Sequence, residues 1–255
     1  AGVPVSVGLV LLGQALEGGS IRSILQLTAA IIVFGGTFGA VLLSFSLTEV
    51  MRALRAWRTV FLWDGEPLSI TIATLADYAA RARKDGILAL EDELGGVHDP
   101  FLSKALRLVI DGANPMSARE MLETENLSRE EYDLVPARVY EAAGGYAPTI
   151  GILGAVLGLI EIMQNLGEPS KLGAGIAVAF VATVYGVGSA NLVFLPMAMK
   201  LKTKARLESR RRELVVEGVL AIQEGATPHT LREKLGSLAI QVVPDRDSTH
   251  ALRAA

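Results

Sequence analysis

The sequence predicts an all-α integral membrane protein with four transmembrane helices and a helical cytoplasmic domain between helices 2 and 3. Three observations carry this. Of 255 residues, 51% are hydrophobic and only 20% are charged, below the roughly 25% charge of an ordinary soluble domain. The missing charge is concentrated in a few long stretches, and uncharged length is what a bilayer core selects. Basic residues then gather at one end of each hairpin, which orients the chain.

The stretches come in order. Val3 to Leu16 is apolar but short, because a bilayer core needs about 20 residues. Two readings stay open for it: a helix that starts at the interface, or further residues before Ala1. Ser23 to Thr48 runs without a charge. Tyr146 to Leu166 holds one, Glu161, and Leu172 to Met199 holds none. The links Glu17 to Arg22 and Gly167 to Lys171 are tight, so each pair reads as an antiparallel hairpin. Arg52, Arg55 and Arg58 follow the second stretch; Lys200, Lys202, Lys204, Arg206 and Arg210 to Arg212 follow the fourth. Both termini and the middle region are therefore expected on the cytoplasmic side. The expected segments are a hairpin over 1–48, a cytoplasmic helical domain over 49–144, a second hairpin over 145–199, and a C-terminal cytoplasmic helix and tail over 200–255.

The middle region reads as several short helices. Pro67 marks a helix start, where its missing N–H costs nothing. Leu68, Ile72, Leu75 and Ala79 recur at helical spacing, and Phe101, Ala105, Leu108 and Gly112 repeat the pattern. Asn114-Pro115 opens another helix. Ser128 and Glu131 have the spacing of a capping box, and Pro136 should kink the helix that follows. The last cytoplasmic helix is expected from about Lys200 to Glu224, with a frayed tail from Asp245.

Composition excludes several chemistries. The chain has no cysteine, so disulfides, zinc-thiolate sites and thiol catalysis are out. His98, His229 and His250 are scattered, without metal-ligand spacing. There is no P-loop and no Gly-x-Ser-x-Gly elbow. A net charge of -3 gives no basic face for nucleic acid. No enzyme, metal or cofactor is indicated.

The spans offer small residues and hydroxyls instead. Gly35, Gly36 and Gly39 lie in the second, and Gly151, Gly154 and Gly158 in the third. Such spacings let helix backbones approach closely. The fourth carries Thr183, Tyr185, Ser189 and Asn191. Glu161 is the one carboxylate within a span, and it sits close enough to the outer end to snorkel to the interface. A protein that moved protons or cations through these spans would need its central carboxylate from another subunit.

Here the residues reach a known family. Gly145 to Ile160, the run from Gly173 through Ala182-Thr183-Val184-Tyr185-Gly186 to Leu195-Pro196, and Phe34 to Ala40 resemble three spans of the MotA family of flagellar stator channel subunits. Arg83 to Glu91 and Asp99 to Leu102 resemble its cytoplasmic part, and the likeness covers about residues 3 to 235. The resemblance implies an ion-conducting subunit in the bacterial inner membrane. It implies five copies around two of a MotB-like single-span, peptidoglycan-binding partner that supplies the ion-carrying Asp. It also implies contact with a FliG-like rotor protein. Residue by residue, Thr183 matches a pore-facing threonine, and Ala155 stands where the family separates proton from sodium stators. Pro148 and Pro196 match prolines tied to conformational change. Arg83 and Glu91 match rotor-engaging charges, and Lys84 matches more weakly. Glu161 falls where the family varies and takes no role.

The proton is the expected coupling ion. Sodium entering a dry site must replace its water with several oxygens, by the logic of other hard cations. Gly154, Ala155 and Val156 bring no side-chain oxygen, and Thr183 brings one. The competing reading is an ExbB/TolQ-like proton-channel subunit energising an outer-membrane process. Those relatives have one span before the large cytoplasmic region, whereas a complete hairpin precedes it here. A membrane scaffold without ion flow gives no reason for a hydroxyl-bearing, small-residue third and fourth span.

Overall fold

The structure is a computed structural model that describes residues 2–18, 24–61, 67–164, 167 and 169–240. Parts of both short links, including Arg22 and Leu166, and the tail from Asp245 lie outside the described residues. Among the described residues every regular element is helical. We number them α1 (Gly2–Leu16), α2 (Leu27–Ser44), α3 (Leu47–Phe61), α4 (Leu68–Asp85), α5 (Pro100–Ile110), α6 (Pro115–Gln164), α7 (Pro169–Ser189), α8 (Leu195–Gln223) and α9 (Pro228–Ile240). Short 3₁₀ turns at Ile87–Leu90 and Leu94–Gly96 join α4 to α5. A π turn, Ala190–Phe194, joins α7 to α8 without a break, and another, Ile31–Gly35, lies inside α2.

Three of these helical runs are long and apolar enough to cross a membrane: Leu27–Ser44, the apolar part of α6, and Gly175–Gln223. At 15 residues, α1 is shorter than a full span.

The chain divides into two compact units. The first comprises Ala1–Trp63 and Leu134–Thr203; the second comprises Asp64–Asp133 and Lys204 onward. The dividing points fall inside α6, after Asp133, and inside α8, after Thr203. In the first unit, Val50, Ala53 and Val60 of α3 pack with Val139, Tyr140 and Ala143 of α6 and Met197 and Leu201 of α8. The Tyr140 hydroxyl donates to the Ala53 carbonyl at 3.0 Å. In the second unit, α4, α5, α8 and α9 close around Leu75, Phe101, Leu106, Val215, Leu231 and Leu235, together with Leu122 of α6.

Several local expectations change. Ser128 does not start a helix. It lies inside α6 and its hydroxyl donates back to the Thr124 carbonyl at 3.0 Å. The capping box is instead Ser46–Glu49: the Ser46 N–H donates to Glu49 Oε2 at 2.8 Å, and the Glu49 N–H donates to Ser46 Oγ at 3.4 Å. The Ser46 hydroxyl donates to the same Glu49 Oε2 at 2.7 Å, and this bond first, then that of the Ser46 N–H, lowers the Glu49 pKa. Phe45 is extended, so α2 stops at Ser44 and Thr48 belongs to α3. Gly112 lies past the end of α5 with φ +69°, and the buried stripe is Phe101, Leu102, Ala105, Leu106 and Val109. The third hydrophobic stretch and the helix before it are one 50-residue helix, with Pro136 and Pro148 inside it. The helix expected from Lys200 begins earlier, at Leu195.

Candidate functional site

In the first unit, α6 and α7 lie against each other with almost no side chain between them. A Cβ on Gly151 would stand 2.9 Å from the Ala182 carbonyl oxygen and 3.1 Å from the Gly186 Cα. One on Gly186 would stand 2.5 Å from the Ala147 carbonyl oxygen. One on Gly158 would stand 2.9 Å from both the Ala179 nitrogen and the Gly175 oxygen. The matched positions run in opposite directions, so the pair is antiparallel. Of the glycines that the sequence marks as packing residues, Gly151 and Gly158 meet the α7 backbone, Gly36 and Gly154 meet side chains, and Gly35 and Gly39 have nothing within 4 Å.

α2 covers one flank of this pair. A Cβ on Gly36 would meet Ile150 Cγ2 at 2.8 Å, and Ala29 and Val33 cluster with Val178, Val181 and Ala182. Phe34 stacks on Tyr185 at 5.7 Å between centroids, and the Tyr185 hydroxyl donates to the Ile24 carbonyl at 2.6 Å.

Ala155 and Thr183 each follow a contact residue, Gly154 and Ala182, by one position. One residue turns a helix by about 100°. In an antiparallel pair this carries both to the same flank, the one opposite α2. Both are half-buried. The Thr183 hydroxyl donates to the Ala179 carbonyl at 3.2 Å and is the polar group of a flank otherwise presenting exposed Ile152, Leu159, Ile176 and Phe180. Glu161 lies two turns beyond Gly154 on nearly the same line, so it is not on the Ala155 flank. No carboxylate faces Thr183 from this pair among the described residues.

Pro148 lies seven residues before Ala155, two turns away on the same flank. It leaves the Gly144 carbonyl without its helical donor. Gly144 itself is pressed against Leu195, where an added Cβ would meet Cδ2 at 2.6 Å. Pro196 follows the π turn by two residues. Its ring would clash with the carbonyl of Leu192 in a regular helix, and Leu192 lies within the widened turn. Sequence reading found Pro196 but not the π turn that accommodates it. Pro196 is exposed and borders a cavity of about 410 Å³ with Gly2, Ser6, Phe61, Asn191 and Lys200. Along the helix pair the two prolines stand about two turns, or roughly 10 Å, apart.

The second unit carries Arg83, Lys84 and Glu91. Arg83 and Lys84 occupy the last turn of α4, where cations suit the helix dipole. Gly86 ends the helix with φ +86°, a conformation that favours glycine. Glu91 follows the 3₁₀ turn, anchored by fully buried Leu90. All three charged residues are exposed. Arg83 also donates to the Gly225 carbonyl at 3.1 Å, just beyond α8. It therefore ties two helix ends together, a role its place in the sequence does not reveal.

The same unit carries a lattice of ion pairs. Glu217 meets Arg119 at 2.5 Å and Lys234 at 2.9 Å. The hydrogen bond from Arg119 lowers the Glu217 pKa, burial opposes the shift, and Lys234 adds to it. Arg211 meets Asp99 at 2.6 Å, and that carboxylate also caps α5 by accepting from the Phe101 N–H. Burial works against the Arg211 charge, but Asp99 and Glu208 outweigh it and raise its pKa.

Among the described residues the open flank of this helix pair carries one hydroxyl and no carboxylate, and the chain has counterparts among known proteins. The profile of the MotA/TolQ/ExbB proton channel family matches residues 94–214. Motility protein A of Bacillus subtilis is 35% identical over 235 residues, 91% of this chain and 85% of the relative. Motility protein A of Helicobacter pylori (strain ATCC 700392 / 26695) is 36% identical over 234 residues, 92% of this chain and 91% of the relative. The chain belongs to the MotA/TolQ/ExbB proton channel family. The solved structure of C. jejuni MotAB superposes with a TM-score of 0.88 at 31% identity, covering 96% of this chain and 95% of that one. The all-helical fold thus matches that of a solved MotAB structure.

Proposed function

We propose that the chain is the ion-conducting stator subunit of a bacterial flagellar motor, coupling proton flow to torque on the rotor. The observation that carries this is the open flank of α6 and α7. Among the described residues it has an apolar wall, a single hydroxyl at Thr183 and small Ala155 beside it, and so needs a carboxylate from outside. A MotB-like, single-span, peptidoglycan-binding partner supplies that group. Two copies sit within a ring of five of these chains. Thr183 passes the proton, and Ala155 keeps sodium ligands out.

The chain spans the inner membrane four times with both termini in the cytoplasm. In support, Gly2 and Ser6 of α1 border the same cavity as Phe61 and Lys200. The start of α1 thus lies at the basic end of the first unit, as a hairpin requires. Pro148 and Pro196 act as hinges that relay the partner's charge state, and Arg83, Lys84 and Glu91 meet a FliG-like rotor protein. The α1–α2 hairpin ahead of the second unit disfavours the ExbB/TolQ-like alternative.

Expression of this chain with its partner in a stator-deletion strain tests the reading. Restored swimming is expected. Restoration of an outer-membrane uptake defect without swimming would favour the alternative.

A further inference from the structure

Beside α2 the first unit holds a second feature, away from the α6–α7 flank. It is an apolar cavity of about 270 Å³, walled by Phe34, Phe38, Val41, Leu54, Val139 and Phe194. From Phe34 to Val41 it follows α2 for roughly 10 Å. Phe38 and Leu54 are half exposed at its edge, at 52% and 53%.

α3 forms one wall and has three faces. Val50, Ala53 and Val60 are buried against α6 and α8. Leu47, Met51, Leu54, Trp57 and Phe61 are apolar yet exposed. Arg55 and Arg58 are exposed beside them. Arg58 lies one turn beyond Leu54 on nearly the same line, about 6 Å along the axis. The acid of this helix, Glu49, lies on the far side and is held by Ser46.

We infer that α3 and this cavity together hold one anionic glycerophospholipid, with its phosphate at Arg58 and Arg55 and one acyl chain running past Leu54 into the cavity. The inference rests on the membrane placement proposed above. An aromatic and arginine rim around an apolar slot is the composition of the membrane–water boundary. Anionic headgroups concentrate at the cytoplasmic surface, where these arginines stand. Protein–protein contacts also favour aromatic residues and Arg, so a second copy of the chain is the competing occupant, and the cross-link from position 54 separates the two.

The test uses the full chain co-purified with its partner subunit in mild detergent. It is offered equal phosphatidylglycerol and phosphatidylcholine, and retained lipid is read by native mass spectrometry. Phosphatidylglycerol should be retained preferentially, and Arg55→Gln and Arg58→Gln should each lower that retention about fivefold. A photo-reactive benzoylphenylalanine in place of Leu54 should capture phospholipid. Equal retention of the two lipids, retention unchanged in the Arg55→Gln/Arg58→Gln double variant, or a chain-to-chain adduct from position 54 would each overturn the inference. Recovery of the chain outside membranes would defeat the membrane placement itself. A membrane-bound chain that retains no phosphatidylglycerol defeats only the lipid site.

Discussion

The two units hold together by opposite means. The first relies on backbone contact: Gly151, Gly158 and Gly186 let the α6 and α7 backbones meet directly. The second relies on a conventional apolar core, with Phe101, Leu106 and Val215 inside and an ion-pair lattice around Glu217 and Arg211. In a bilayer, lipid tails are as apolar as leucine, so close approach of backbones replaces hydrophobic exclusion as the cohesive force. Against water, burial drives the packing and charge pairs fix its geometry. A seam of backbone contact can slide or tilt at low cost, which suits the proposed hinges at Pro148 and Pro196 and the proposed ion path. A core locked by ion pairs suits the unit proposed to meet the rotor, which would have to transmit force without deforming.

The largest expected effect lies in the second unit. Phe101 is fully buried, and Phe101→Ala should cost about 3–5 kcal/mol. Limited proteolysis should then cut the 67–133 region while the membrane helices stay intact. Uniform loss of the whole chain would mean that the units are not energetically separate.

Next comes the seam. Gly186→Val places side-chain atoms where even a Cβ would be 2.5 Å from a carbonyl oxygen, and overpacking costs about 1–3 kcal/mol. Swimming and recovery of the assembled complex should both fall, whereas Gly39→Ala, with nothing within 4 Å, should leave both unchanged. Equal tolerance of the two would remove the backbone seam from the account.

A smaller effect is tied to pH. The Arg119 hydrogen bond depresses the Glu217 pKa in the folded state. Its stabilisation is therefore complete above the unfolded value, about 4.3, and is lost as pH falls through the folded value. Thermal unfolding of the purified complex should show the second unit weakening below that range, and Glu217→Gln should flatten the dependence.

The smallest structural effect should come from Glu91→Lys. The residue is exposed, so stability should change by no more than about 0.5 kcal/mol while swimming torque drops. Loss of protein from the membrane would assign Glu91 to folding instead.

Much of this was legible in the sequence. The glycine spacing over 151–158 announced a close helix contact because only packing gives three glycines a common face in a span. Thr183 and Ala155 came from a resemblance, and their shared flank needed the antiparallel register of α6 and α7. Other features stayed hidden for physical reasons. A π turn at Ala190–Phe194 leaves no residue signature of its own. The Ser128–Glu131 pattern matched a cap but lost to the continuing helix, because nothing before Ser128 ended it. The working cap, Ser46–Glu49, lay where a hydrophobic run concealed a helix break. The Arg83–Gly225 bond joins residues 142 positions apart, beyond the reach of local pattern.

The central claim is that the proton carrier comes from a partner and works along the Thr183–Ala155 flank. Proton flux into liposomes tests it most directly, with a pH-sensitive dye inside, potassium in place of sodium, and the chain reconstituted alone or with its single-span partner. Flux is expected only with the partner present and without any need for sodium. Flux through this chain alone, or flux that requires sodium, would contradict the account.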